Sequence, residues 1–387
     1  MRVLALGGAG AVASEATRDL AEFSDFDEII IGDYAVAKAE ALAGEMNDPR
    51  LKVRKVNAGD EDDLRRVIAD ADVVMNGLPF KYDYIVNRLC VEEGVPGVDL
   101  SSDDPQFQLS AMAEEKGILF IPGCGATPGI TNLMARRGVE RMDRVDEIHI
   151  HFAAFRCLAP APGLLTTTLY EFMPVRPDRC YYENGEYIEA PPMSGAKTVR
   201  FHDQIGEQTV VFVPHDETWT LSESVPGVKR VDVRGCFSPQ VMTLIRGMLD
   251  VGLFSEEVIE LDGLKTTPLK LMADLLLQLP ETRRTSVWAY GLVVEVVGQR
   301  EGRRVTCTFS NDHPPQQEWG VPAAYAKNVG IPLSIAVQML AGGQCEGVGV
   351  RPPELAIPAQ PFFDELARRG IKIYERIEEY GPVESLA

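Results

Sequence analysis

The apolar positions change their period along the chain. Short runs rich in Val, Ile and Leu stand at 3–6, 28–31, 52–56, 73–75, 96–100 and 118–121, each followed by a turn and a stretch of helical spacing. Strands alternating with helices of this length predict right-handed βαβ units and a parallel sheet buried on both faces. In the first helical stretch Val12, Ala16, Leu20 and Phe23 fall on one side, with Arg18, Asp19 and Glu22 on the other. That stripe predicts a helix packed on the sheet. A similar helix is expected over 61–70, with Leu64, Val67 and Ile68 inward.

Near residue 130 the rhythm breaks. Pro122-Gly123-Cys124-Gly125-Ala126-Thr127-Pro128-Gly129 is a proline and glycine hinge, followed by a helical pattern over 130–142. Alternating segments at 148–152, 209–213, 286–298 and 304–309 read as strands, and Asn184-Gly185 supplies a tight hairpin turn. From 323 to 387 the pattern returns to helices, one ending at Gly342-Gly343 and one capped by Gly370. The expected organisation is an α/β, doubly wound domain over 1–130, completed by C-terminal helices over about 323–387, around a mixed α+β domain over 131–322.

Composition narrows the partners. The 387 residues carry 38 Lys+Arg against 58 Asp+Glu, a formal charge of −20. A field of that sign repels phosphate backbones and anionic membranes, so neither nucleic acid nor a membrane surface is an expected partner. Seven scattered cysteines without a C-x-x-C pair suggest neither a disulfide framework nor a zinc site. No metal is expected, and the protein reads as cytoplasmic. The first thirteen residues have the charged start of a signal peptide, but Gly7, Gly8 and Gly10 interrupt the apolar stretch.

Those glycines carry the first chemistry. Gly8-Ala9-Gly10-Ala11-Val12-Ala13 follows a strand and opens a helix, in the pattern G-x-G-x-x-A. The first glycine permits the tight turn, the second lets backbone approach a pyrophosphate, and the small third residue lets helix and sheet touch, as in a Rossmann dinucleotide site. The second strand ends at Asp33, placed to accept hydrogen bonds from an adenosine ribose and to repel a 2′-phosphate. NAD is therefore the expected cofactor, with NADP possible. Gly8, Gly10, Ala11, Val12, Asp33, the turn residue Ala58, and Asn76, Leu78 and Pro79 after the fourth strand are the expected cofactor contacts. Asp99 ends the fifth strand on the same edge, as a catalytic acid or as a cap.

The order of Leu6-Gly7-Gly8-Ala9-Gly10, Asp72-Val73-Val74-Met75-Asn76-Gly77-Leu78-Pro79, Val98-Asp99-Leu100-Ser101 and the Gly123-Cys124-Gly125-Ala126-Thr127-Pro128-Gly129-Ile130-Thr131-Asn132 hinge resembles saccharopine dehydrogenase-like oxidoreductases. It is most similar to the short members that include L-lysine 6-dehydrogenase. The resemblance continues through His215-Asp216-Glu217-Thr218-Trp219 and Gly347-Val348-Gly349-Val350 to Arg369-Gly370. It implies a middle domain for substrate binding and homodimerisation, and NAD(P)-dependent oxidation at the amine-bearing carbon of an amino acid.

Such a reaction needs a base and a cation for substrate carboxylate. Among the five histidines, His151 and His215 are the expected catalytic ones, while His149, His202 and His313 are further bases to test. Arg156 has the two-pronged donor geometry for a carboxylate, and Thr127 in the hinge is a second substrate contact. Cys124 supports another enzyme, because a thiol ahead of a helix N-terminus is the nucleophile of semialdehyde dehydrogenases of the glyceraldehyde-phosphate type. A third reading is an NAD-binding sensor that retains the fold without chemistry.

Overall fold

The computed structural model describes residues 1–102, 104–280 and 287–381. The expected strand start at Ser286 and the tail 382–387 lie outside them. In chain order the strands are β1 (Arg2–Leu6), β2 (Glu28–Asp33), β3 (Leu51–Lys55), β4 (Val73–Asn76), β5 (Gly97–Asp99), β6 (Leu119–Ile121), β7 (Arg144–Phe155), β8 (Cys180–Glu183), β9 (Glu186–Glu189), β10 (Lys197–Arg200), β11 (Glu207–Phe212), β12 (Arg230–Phe237), β13 (Ile259–Leu261), β14 (Leu264–Thr266), β15 (Ala289–Arg300), β16 (Arg303–Asp312), β17 (Gly349–Val350) and β18 (Lys372–Tyr380). Two compact units result: Met1–Arg141 with Ala326–Ile373, and Met142–Tyr325 with the segment from Tyr374.

The first unit holds a parallel sheet of order β17-β6-β5-β4-β1-β2-β3. The strand order reverses at β1, and ligands of doubly wound sheets bind outside the carboxyl ends at such a point. Leu4, Leu6, Val74, Leu89 and Phe120 are fully buried in its core, and each such side chain contributes roughly 1.5–3 kcal/mol relative to exposure. Polar ties hold the returning segment in place. Arg369 Nε donates to Asp19 Oδ1 at 2.6 Å, and Asn132 Nδ2 to Glu354 Oε2 at 2.8 Å, all four residues being buried.

In the second unit β7 lies between β12, which runs parallel to it, and β15, which runs antiparallel. Side chains alternate across a strand, so Ile148, Ile150, Phe152 and Ala154 occupy one face, and His149, His151, Ala153 and Phe155 the other. The second face is apolar at one end, where Ala153, Phe155, Val293 and Cys236 meet Val199, Phe201 and Ile205. Its other end is a charged ladder.

The tail departs from the all-helical expectation. β17 adds two residues to the edge of the first sheet, too short to leave a periodic trace, and β18 pairs with β16 at the edge of the second sheet. The β18 sequence Lys-Ile-Tyr-Glu-Arg-Ile-Glu-Glu-Tyr is mostly exposed and charged. Charges of this kind blunt a sheet edge, and they also mask its apolar alternation.

Candidate functional site

The cofactor edge is built by close backbone contact. Gly7 N donates to Gly32 O at 2.7 Å and Gly10 N to Gly7 O at 2.8 Å, folding the chain sharply out of β1. Gly7 has φ 64°, and a Cβ there would lie 2.9 Å from Gly77 O. The helix Ala13–Phe23 starts at the small third residue of the motif. Ala13 lies so near the end of β4 that a Cβ on Gly77 would come within 2.5 Å of its own. Ala11 is exposed and Val12 nearly buried where that helix begins, and the amides of a helix's first turn favour an anion.

Asp33 stands beside this turn. Its Oδ1 accepts from Ala35 N at 2.8 Å and its Oδ2 from Ala9 N at 3.2 Å, which fixes the carboxylate at the carboxyl end of β2. Asn76 is buried, with Nδ2 donating to Asp83 Oδ1 at 3.0 Å and Oδ1 accepting from Leu78 N at 3.2 Å. Its side chain therefore shapes the turn that presents Leu78 and Pro79. Ala58 is half-buried and packs on the core of the sheet. A turn that side chains would fill, a fixed carboxylate and a helix start fit a nicotinamide dinucleotide.

Three residues of this unit have duties inside the protein. Asp99 is fully buried, its Oδ2 accepting from Gln106 Nε2 at 2.7 Å and its Oδ1 from Gly123 N at 3.3 Å, so it braces the hinge. Cys124 is buried, its thiol donates to Ile121 O at 3.4 Å, and burial, with Asp99 adding repulsion, holds it protonated far above the ordinary range. That corrects the expectation of a thiolate nucleophile: the helix N-terminus is outweighed by desolvation and a nearby carboxylate. Thr127 is half-buried in a turn closed on itself, where Gly125 N donates to Pro128 O at 2.9 Å and Gly129 has φ 126°.

In the second unit a titratable cluster gathers on the Phe152 face of the sheet. The Phe152 ring crosses Gly235, where a Cβ would lie 2.2 Å from it, and reaches His215 with ring centroids 5.0 Å apart. His215 Nδ1 lies 3.2 Å from Glu217 Oε2, and the Glu217 side chain is wholly buried. Burial alone would push the imidazole down, but Glu217, with Glu171 and Asp216 adding, raises it to about 9. Glu171, in the last turn of the helix Pro162–Phe172, is pushed up to about 7 by burial against the opposing pull of His215 and Arg156. Tyr290 is buried nearby, its ring 6.4 Å from Phe152 and its phenol held protonated by burial.

Arg156 belongs to this cluster in a role other than the expected carboxylate clamp. It is only 1% exposed, with Nη1 donating to Cys157 O and Leu158 O, and Nη2 to Leu164 O and Thr168 Oγ1. The guanidinium lies over the rings of Phe237 and Tyr325, 5.1 and 5.2 Å from their centroids. Its fork is spent on the turn after β7, leaving Nε alone without a partner.

His151 lies elsewhere. One residue before Phe152, it projects from the opposite face, where Lys197 Nζ approaches its Nε2 at 3.0 Å and Glu295 Oε2 lies 3.4 Å from that nitrogen. Of the two expected catalytic histidines, strand parity thus puts His151 on the face opposite the His215 cluster. His149, on the same face as His151, has Asp232 Oδ2 at 2.8 Å and Glu147 Oε2 at 3.0 Å from its two nitrogens. Among the described residues, no group of three or more His, Cys, Asp or Glu is arranged to hold a metal. His202 Nε2 contacts Tyr290 O, while His313 accepts from Tyr290 N through Nε2 and donates to Pro314 O through Nδ1. Burial pushes His313 down to about 4, so this neutral tautomer acts as a backbone brace. Glu171 and Tyr290 were missed from sequence, whereas the His215/Glu217 spacing was visible there.

Fold and cofactor edge together define a Rossmann-type, NAD(P)-binding oxidoreductase. Residues 3–121 match the saccharopine dehydrogenase NADP binding domain, and residues 125–371 the saccharopine dehydrogenase C-terminal domain. The chain belongs to the saccharopine dehydrogenase family. It is 24% identical to carboxyaminopropylagmatine dehydrogenase of Synechocystis sp., over 95% of this chain and 96% of that protein. It is 26% identical to carboxynorspermidine synthase of Vibrio alginolyticus, over 94% of each. Saccharopine dehydrogenase (NADP(+), L-glutamate-forming) of Schizosaccharomyces pombe is 21% identical, over 97% of this chain and 99% of that one. The solved saccharopine dehydrogenase (L-Glu forming) of Saccharomyces cerevisiae shares the fold, with a TM-score of 0.70 at 17% identity, covering 98% of this chain and 100% of that one. No described helix is long and apolar enough to cross a membrane.

Proposed function

We propose that the protein is an NAD(P)-dependent dehydrogenase acting at the CH–NH or CH–NH2 carbon of an amino acid or carboxylated amine. The carrying observation is the Glu171–His215–Glu217 set, two carboxylates about one imidazole with Glu217 fully buried, which suits a cationic nitrogen that must lose a proton before oxidation. The names of two relatives, carboxyaminopropylagmatine dehydrogenase and carboxynorspermidine synthase, point to carboxylated amines, and the third relative forms L-glutamate. Lysine and saccharopine stand beside carboxylated polyamines as candidate substrates. When bound, the nicotinamide accepts hydride; the chain's part is to hold the substrate and take up its proton. The resulting imine is hydrolysed by water to a carbonyl compound and ammonia or, from a secondary amine, a second amine.

Asp33 supports NAD over NADP, since a fixed carboxylate beside the glycine turn repels a 2′-phosphate. The test is a spectrophotometric screen with NAD and NADP against lysine, saccharopine, carboxynorspermidine, other amino acids and polyamines at mildly alkaline pH. Reduced cofactor with one compound identifies substrate and cofactor together. Silence across the panel despite cofactor binding overturns the amine reading.

A further inference from the structure

Among the buried side-chain oxygens of the second unit without a hydrogen-bond partner is one of Glu171. Glu171 Oε2 has almost no solvent contact and no hydrogen-bond partner. A buried acceptor left unsatisfied costs roughly 1–3 kcal/mol, more when charged. Two cations act on this carboxylate electrostatically, Arg156 and His215. Neither supplies the missing bond. All four Nη hydrogens of Arg156 have acceptors in Cys157 O, Leu158 O, Leu164 O and Thr168 Oγ1, and the guanidinium lies over the rings of Phe237 and Tyr325. His215 turns Nδ1 toward Glu217.

The protein therefore keeps a carboxylate beside two positive groups and gives its hydrogen bond to neither. A purely structural carboxylate would be paired in this setting. For the ionised carboxylate the missing partner is a donor. An ionised carboxylate accepts most strongly from a cationic N–H, so an ammonium is the favoured partner.

We propose that Glu171 is the anchor for the substrate's cationic nitrogen, receiving an N–H of a primary or secondary ammonium at Oε2. The proposal rests on the amine reading above and assigns it a side chain. A group near its midpoint at neutral pH suits the task, since it is readily ionised by an arriving cation and readily protonated when that nitrogen becomes neutral.

The test uses n-butylammonium as probe and the full chain without cofactor. Calorimetric affinity is measured for wild type, Glu171→Gln, and the surface control Glu186→Gln, while carbon-13 NMR of labelled glutamate follows the Glu171 carboxyl. Glu171→Gln keeps the shape and removes the charge. Its affinity is expected to fall about 10-fold to 100-fold, the value of a charge-assisted hydrogen bond, with Glu186→Gln unchanged. The carboxyl titration is expected to move to lower pH when the probe is added. Equal binding by Glu171→Gln, an unmoved titration, or no probe binding by wild type overturns the assignment. The two readings fail separately: turnover in the screen with Glu171-independent binding refutes this inference alone, and Glu171-dependent binding without turnover of any amine refutes the proposed function alone.

Discussion

The Phe152 ring lies 5.0 Å from that of His215, centroid to centroid, and this contact sorts the histidines of the second unit. His151 sits on the other face, fully buried beneath Lys197. His215→Gln is expected to lower kcat/KM about tenfold or more, as for loss of a group that moves or holds a proton. His151→Gln is expected to leave it nearly unchanged. Equal losses in steady-state assays of the two variants would place the chemistry on the wrong face.

The Glu171 carboxyl gives stability a pH dependence of defined sign. Burial raises it from an ordinary 4.5 to about 7. Its contribution is therefore fully present below pH 4.5 and lost as pH rises through 7. The difference is on the order of 3 kcal/mol. Denaturant melts should show Glu171→Gln gaining on wild type between pH 5 and pH 8. A constant gap across that range would mean the carboxyl titrates normally.

Asp33→Ala removes the carboxylate that Ala9 N and Ala35 N hold at the end of β2. NAD affinity should fall about tenfold, from loss of charge-assisted hydrogen bonds to the ribose, while NADP affinity falls less or rises. Fluorescence titration with both reduced cofactors reads this directly, and unaltered NADH binding would show that the ribose lies elsewhere.

Cys124→Ala should retain turnover within about threefold and cost on the order of 1 kcal/mol of stability for the vacated volume. The thiol is buried and kept protonated. Native wild-type protein should likewise keep its activity after treatment with iodoacetamide. Inactivation that tracks modification of this one thiol revives the semialdehyde dehydrogenase reading.

Arg156→Lys exchanges a planar fork for a single ammonium. With three donors in place of four, at least one of the Nη bonds goes unmade, and the acceptor it served stays buried. The expected loss is about 2–4 kcal/mol. Urea unfolding measures it, and a loss below about 0.5 kcal/mol would contradict the locking role.

The first unit was largely legible because each strand and helix leaves its own period, and because Gly8 and Gly10 are required by contacts a few residues long. Leu64, Val67 and Ile68 are buried, as their spacing requires. The cluster in the second unit was only half legible. His215 and Glu217 are two residues apart in the chain, but Glu171 is joined to them only by the packing of its helix on the sheet, and nothing in Leu-Tyr-Glu-Phe-Met marks that carboxylate as buried. Shared strand parity of His149 and His151 was visible. That Phe152, not either histidine, faces His215 depends on where a segment some sixty residues later is laid down. The locked role of Arg156 was hidden for a similar reason, since three of its four Nη acceptors are backbone carbonyls, which every sequence has.

The short strand β17 hydrogen-bonds to β6, with Gly349 N on Ile118 O at 2.8 Å and Arg351 N on Phe120 O at 3.0 Å. The ribosome makes the two partners far apart in time. β6 emerges early, and the whole of Met142–Tyr325 is translated before β17 can reach it. Throughout that interval the nascent sheet carries a raw border of unpaired amides and carbonyls. The dinucleotide fold is thus sealed late in synthesis, and a transcript cut before codon 349 would yield a chain with its cofactor turn in place and an adhesive strand exposed.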